Sequence, residues 1–191
     1  SLGSAFSLDT GNARINFTAL TTSGGILSYD NFNTGDGSWI LDLTQNLSWT
    51  DGSGGSAGSR WGFGLNDGSV SANGRGTYWA ETTSNYGGDW ITFVCGCGAC
   101  NAETYGTITY SGTHYVRIKR DITITQGTTI VWYPTEADRT NDTNGVGMST
   151  PNTAETTGCS DMNFFAVTSS DNQYNGASGY VKDISLYEWT P

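Results

Sequence analysis

Turn signals punctuate this chain from end to end, and the runs between them are too short and too strictly alternating for helices. Gly24-Gly25, Asp36-Gly37, Asp51-Gly52, Asn66-Asp67-Gly68, Asn73-Gly74, Asn144-Gly145 and Asn175-Gly176 are dipeptides and tripeptides that favour tight turns. Between them, apolar residues recur at every second position. Ala13, Ile15, Phe17 and Ala19 alternate with Arg14, Asn16 and Thr18. Trp39, Leu41 and Leu43 alternate with Ile40, Asp42 and Thr44, and Leu47 and Trp49 keep the register. Trp61, Phe63 and Leu65 alternate with glycines, and Val116, Ile118, Ile122 and Ile124 share one parity. A period of two places one face of a strand on a core and the other in water. The stretches Trp90–Val94, Thr128–Tyr133 and Met162–Thr168 are more continuously apolar and predict central strands. No segment carries three turns of helical periodicity. The pattern predicts an all-β fold, a two-sheet antiparallel β-sandwich of jelly-roll type, formed by residues 1–191 as one domain. Two stretches, Asp51–Ser59 and Thr135–Gly158, are expected to be long loops.

Composition decides what fills such a core and what it can meet. Hydrophobic residues are 36% of the chain but aromatics are 13%, so seven Trp and ten Tyr supply much of the burial. The net charge is −10, from 18 acidic and eight basic residues. That balance excludes nucleic acid, which needs a Lys/Arg-rich surface, and docking on anionic membranes. No apolar run approaches a membrane span, so no membrane insertion is expected.

Five segments together resemble one structural superfamily. They are SWILDLTQNLSW, RWGFGLNDGS, DWITFV, THYVRIKRD and GYVKDISLYEW. Between about Gly37 and Trp189 the chain resembles the concanavalin A-like (laminin G-like) jelly-roll superfamily. The resemblance implies two antiparallel sheets, one concave, and a closing strand with Tyr180, Ile184 and Leu186 inward. Members of that superfamily include lectins, carbohydrate-binding modules, glycosidases, polysaccharide lyases and passive surface modules. The fold alone therefore selects no function. The first 36 residues lie outside the resemblance.

Candidate chemistry is sparse. Glycoside hydrolysis needs two carboxylates on either side of the scissile bond. Glucanases of the resembled fold place them in an E-x-D-x-E strand, and no E-x-D-x-E occurs here: Glu136-Ala137-Asp138 has Thr140 in the place of the last Glu. A lyase needs a Tyr or His base and a cation to neutralise the uronate. His114, Tyr115, Arg117 and Lys119 are near one another, but alternation puts His114 opposite the other three. We therefore expect no catalytic residues.

Four cysteines are the sharpest local feature: Cys95, Cys97 and Cys100 in VCGCGACN, and Cys159 downstream. A zinc ribbon would show two C-x2-C knuckles, and only one exists. Two disulfides are expected, in an oxidising compartment. The feasible pairings are Cys97–Cys100 with Cys95–Cys159, or Cys95–Cys100 with Cys97–Cys159.

Sequons at Asn16, Asn46 and Asn141 are candidate glycosylation sites. Asp138, Asn141, Asp142 and Asn144 crowd one polar loop and are candidate calcium ligands, so calcium is the one possible cofactor. Tyr78, Trp79, Tyr86 and Trp132 lie at strand ends or beside polar loops and are candidate glycan-stacking residues.

These features predict a non-catalytic protein, extracellular or at a cell surface. The first reading is a structural subunit of a surface or filamentous assembly. Its N-terminal segment, residues 1–36, would dock on a neighbouring copy by strand addition. The alternatives are a lectin-like carbohydrate-binding module that meets surface glycans, and a polysaccharide lyase.

Overall fold

The computed structural model describes residues 6–17, 25–30, 37–48, 60–66, 78–84, 90–96, 99–104, 112–121, 123–124, 128–149, 164–170 and 178–191. These residues form two antiparallel sheets. The seven-stranded sheet runs β1 (Phe6–Asp9), β2 (Arg14–Phe17), β13 (Ser178–Glu188), β4 (Trp39–Ser48), β9 (Gly112–Arg120), β10 (Thr128–Tyr133), β11 (Val146–Ser149). The six-stranded sheet runs β3 (Gly25–Asp30), β12 (Phe164–Ser170), β5 (Arg60–Asn66), β6 (Tyr78–Ser84), β7 (Trp90–Gly96), β8 (Ala99–Thr104). Strand β10 of the first sheet lies against β7 of the second. The all-β sandwich expected from the alternation is the observed fold. None of the described helices is long and apolar enough to cross a membrane.

The seven-stranded sheet contributes a continuous apolar layer. Trp39, Leu41 and Leu43 of β4 meet Val116 and Ile118 of β9 and Ile130 and Trp132 of β10, all 4% exposed or less. Ile15 and Val181 extend the layer as register partners on β2 and β13. Each fully buried side chain of this size contributes roughly 1.5–3 kcal/mol relative to exposure. Trp132 was a candidate sugar-stacking residue; at 4% exposure it is part of this core and offers no face to a ligand.

Two positions depart from the simple alternation. Ile124 was placed on the core parity of β9, yet it is 52% exposed. The strand ends at Arg120, and the Asp121 carboxylate accepts from the Thr123 N–H and hydroxyl, so the chain turns before Ile124. Tyr180 was expected inward with Leu186. Instead, Val181 is fully buried and Tyr180 aligns with Asn16 and Asn46 on the opposite face. The reason is a β-bulge. Lys182 pairs with Thr44 and Ser185 with Asp42, so β13 uses one more residue than β4 over the same span. Asp183, in the bulge, has φ 52°. The inward parity is odd before it and even after it.

Residues 135–158 are not all loop. They contain a short helix, α1 (Glu136–Asn141), and β11. Thr135 caps the helix by accepting from the Asp138 N–H, and Glu136 and Asp138 sit in its first turn, where the helix dipole favours them. Arg139 then fixes α1 to the sheet: its guanidinium donates to the Leu43 carbonyl at 2.8 Å and is 5.7 Å from the Tyr115 ring centre. The expected loop 51–59 falls outside the described residues.

The N-terminal strands pair within the chain. β2 lies between β1 and β13, and β3 pairs with β12.

Candidate functional site

The two sheets each present a second face, and the two faces differ. On the seven-stranded sheet, this face carries a closed polar network. Arg117 donates to both carboxylate oxygens of Asp42, at 2.8 and 2.9 Å. The pair is well covered, with side-chain exposures of 17% and 11%. Tyr187 donates its hydroxyl to Asp42 at 3.1 Å, and Arg117 reaches the same hydroxyl at 3.4 Å. Beside them Tyr133 donates to an Asp142 carboxylate oxygen. Lys119 lies 3.7 Å from the Trp189 ring centre.

This network takes up Arg117, one of the four residues the sequence offered for lyase chemistry. The hydrogen bond to Asp42 holds Arg117 charged above its ordinary value, and the charge is already neutralised by its partner. Burial pushes both the Tyr133 and Tyr187 phenols up, so they hold their protons more firmly than a base can afford. Tyr115 and His114 occupy successive positions of β9, opposite Thr44 and Gln45 respectively, and so lie on opposite faces.

The six-stranded sheet is read through its register. In an antiparallel sheet, directly opposed residues share a face. One set comprises Leu27, Tyr29, Trp61, Phe63, Leu65, Tyr78, Ala80, Val94, Phe165 and Val167. This apolar set is the one that suits the interior of a two-layer sandwich. The other set includes two adjacent rows. The first runs Ser28, Ala166, Gly64, Trp79, Cys95, Cys100 across all six strands. The second runs Ile26, Thr168, Gly62, Glu81, Phe93, Ala102.

Trp79 therefore has a glycine as its direct partner on β5, and Glu81 has another. Beyond them β12 contributes only Ala166 and Thr168. Trp79 and Glu81 are thus in register with Gly64 and Gly62 of β5. Alternation of Trp61, Phe63 and Leu65 with glycines was legible along β5, and the register shows that these glycines pair with Trp79 and Glu81.

The other sequence candidates are dispersed. Tyr78 shares the apolar set, opposite Trp79. Tyr86, Cys97 and Cys159 lie outside the described residues. Asn16 is on β2 and Asn46 on β4, both partners of Tyr180, and the Asn46 amide donates to the Thr113 hydroxyl at 2.9 Å. Asn141 is exposed at the end of α1.

The proposed calcium ligands do converge, but as a helix cap. Asp138 accepts from Asn144 at 2.7 Å, from Thr143 and from Thr135. These donors, Thr135 first, hold its carboxyl below the usual carboxylate range. Asp142 takes the left-handed C-cap position and turns its carboxylate to Tyr133. The carboxylates thus accept from the loop's own hydroxyls and amide, and no group of three His, Cys, Asp or Glu among the described residues could hold a metal. This donor set fits a cap and does not fit the six to eight converging oxygens that calcium takes.

No protein-family model matches this chain, and no curated protein matches it. Solved structures do. A legume lectin-like domain from Entamoeba histolytica aligns with 100% of this chain and 90% of its own length, at 13% identity and TM-score 0.58. The winged bean acidic lectin, solved with methyl-α-D-galactose, aligns over 98% and 93% at 12% identity and TM-score 0.54. The exoplasmic/lumenal domain of VIP36, solved in a Ca2+/mannose-bound form, aligns over 100% and 83% at 8% identity and TM-score 0.56. At such identities the likeness speaks to the fold. The chain has the concanavalin A-like jelly-roll fold, and the alignment includes the first 36 residues that the sequence resemblance left uncovered.

Proposed function

We propose that this chain is a non-catalytic, lectin-like carbohydrate-binding module of an extracellular or secretory-pathway compartment. The observation that carries the reading is the row in which Trp79 stands beside Gly64 and Ala166. The C–H faces of a sugar ring stack on an aromatic ring, and stacking needs an approach free of neighbouring side chains. Glu81, two positions along β6 on the same face, supplies acceptors for sugar hydroxyls. The lectin domains that share the fold, two of them solved with sugars, agree with this reading.

Charge narrows the ligand. A net charge of −10 and the Glu81 carboxylate two positions from Trp79 disfavour uronates, sulfated glycans and sialylated termini. The ligand class is a neutral hexose or N-acetylhexosamine glycan. The earlier reading, an assembly built by strand donation from residues 1–36, has less to support it, because β1, β2 and β3 have hydrogen-bonding partners inside the chain. Calcium is given no role through Asp138 or Asp142.

The test is a glycan array followed by calorimetry on the best hit, with Trp79→Ala and Tyr78→Ala side by side. Trp79→Ala should weaken binding about ten-fold or more, equivalent to ~1.4 kcal/mol, with the circular dichroism spectrum unchanged. Tyr78→Ala should lower stability and leave affinity within about two-fold. Undiminished binding by folded Trp79→Ala would overturn the site, and an array without neutral-glycan hits would overturn the function.

A further inference from the structure

We propose that a cavity between the β1–β2 turn and the bulge of β13 binds a neutral small molecule with an apolar body. The site belongs to the seven-stranded sheet and is independent of sugar binding.

β2 stops at Arg14, opposite Lys182, while β13 runs on to Glu188. Before Arg14 the chain leaves the sheet through the turn of residues 10–13. The next residues of β13, Asp183 and Ile184, are those of the bulge. A cavity of about 510 Å³ lies in the corner between them. Small-molecule sites have volumes of about 300–1,000 Å³.

The floor of the cavity is the end of the apolar layer. Leu8, Ile15 and Val181 are register partners on β1, β2 and β13, so they share a face. Ile15 and Val181 are 4% and 0% exposed, yet Leu8 is 45% exposed. This leucine has the core parity of its strand and is uncovered because it lines the cavity, as Ile184 also does. Covering that apolar surface drives binding.

The rim sets the charge of the ligand. Arg14 donates to the Asp9 carboxylate at 2.9 Å, and Lys182 lies 3.1 Å from Asp183. All four residues line the cavity. Hydrogen bonds from Asn12, and then Arg14, hold the Asp9 carboxyl below the usual carboxylate range, and the bond to Asp183 raises Lys182. Each cation thus has its own carboxylate, and the rim offers no net charge to an anion or a cation. Its oxygens and N–H groups can still meet a hydroxyl, amine or carbonyl of a neutral ligand.

The backbone adds an independent sign. Among the described residues, Ala13, Asp142, Asn144 and Asp183 have positive φ without being glycine. Asp142 and Asn144 belong to the α1 cap. Ala13, at φ 47°, and Asp183, at φ 52°, both line the cavity. Alanine has no side-chain hydrogen bond to offset that conformation, and such strain concentrates at ligand sites. An added strand is a poorer occupant than a compact molecule, since β2 is already paired on both sides.

The test is a fluorescence titration of the full chain with phenylnaphthylamine, a neutral apolar amine that brightens when it leaves water. Leu8→Arg puts a charge over the floor. Ile124→Arg puts the same charge on another exposed apolar residue, away from the cavity. The expected result is saturable binding, weakened about ten-fold or more by Leu8→Arg and changed less than about two-fold by Ile124→Arg. The anionic analogue anilinonaphthalene sulfonate should bind about ten-fold more weakly than the neutral probe. In the wild type, the methyl resonances of Leu8, Ile15 and Val181 should shift on adding the probe while those of Ile124 stay in place, a readout that needs no variant to fold. Absence of saturable binding, binding that Leu8→Arg leaves intact, or unmoved methyls would overturn the site. An anionic analogue that binds as tightly would overturn the ligand class.

Discussion

The two sheets differ in what their registers bring together. On the seven-stranded sheet, Asp42, Arg117, Tyr187, Tyr133 and Asp142 bond to one another, and α1 is pinned alongside through Arg139. Every charge in that group has an answer within the protein. On the six-stranded sheet, the rows through Trp79 and Glu81 place those residues beside Gly64, Gly62 and Ala166. In one sheet the polar side chains bond to one another; in the other, an aromatic residue and a carboxylate are in register with glycines. A polar cluster is therefore not by itself a site. The cluster with the most conspicuous functional groups here is one whose groups bond to one another.

The largest expected effect breaks the closed face. Asp42→Ala leaves the Arg117 guanidinium uncompensated in a covered position, and should destabilise the fold by about 3 kcal/mol in urea titration. Replacing both, as Asp42→Leu with Arg117→Met, should recover most of that loss, because no unpaired charge remains. Sugar affinity should be unchanged in either variant if the two faces act independently. A coupled loss of affinity would show that the network supports sugar binding and is not a separate device.

Next in size is a change at the glycine in register with Trp79. Gly64→Val sets a branched side chain in register with Trp79, in a strand that tolerates β-branched residues well. Affinity for the neutral glycan should fall about ten-fold, ~1.4 kcal/mol, while the urea midpoint stays close to wild type. If affinity holds, the ligand does not lie over Gly64 and the site must be sought among the loops.

How far the sequence led differs along the same divide. Strands β4, β5, β7, β9 and β10 could be read locally, because a half-buried strand writes its own period into the chain. The bulge in β13 could not: one extra residue at Asp183 leaves the composition unchanged and only reverses the parity, which is why Tyr180 was assigned to the wrong side. Helix α1 had a readable start in Thr135-x-x-Asp138, but its six residues are too few for helical periodicity to register. Asp42 and Arg117 are 75 residues apart, so each looked like an ordinary strand-surface charge. The glycines of β5 were visible, but their meaning depends on Trp79 as a cross-strand partner, and no local pattern states a pairing.

The smallest effect tests whether the closed face is held by protonated phenols. Tyr133 donates to Asp142, and burial with that hydrogen bond raises its ionisation above the ordinary value of about 10. A raised folded-state value contributes stability that is fully present below the unfolded value, here about pH 10, and is lost as pH rises toward the folded one. At pH 7, Tyr133→Phe should cost about 1 kcal/mol, the net worth of one such bond. Above pH 10 the wild type should lose stability faster than the variant, so the gap between them narrows and can invert. Tyr187 is raised for the same reason, by burial and by Asp42, and stays in both proteins as an internal control. Urea midpoints at pH 7, 9 and 10.5 would decide the matter. A gap that stays constant across that range would mean the Tyr133 hydroxyl is not held in its protonated form by the fold, and the closed face would then owe its cohesion to the Asp42–Arg117 pair alone.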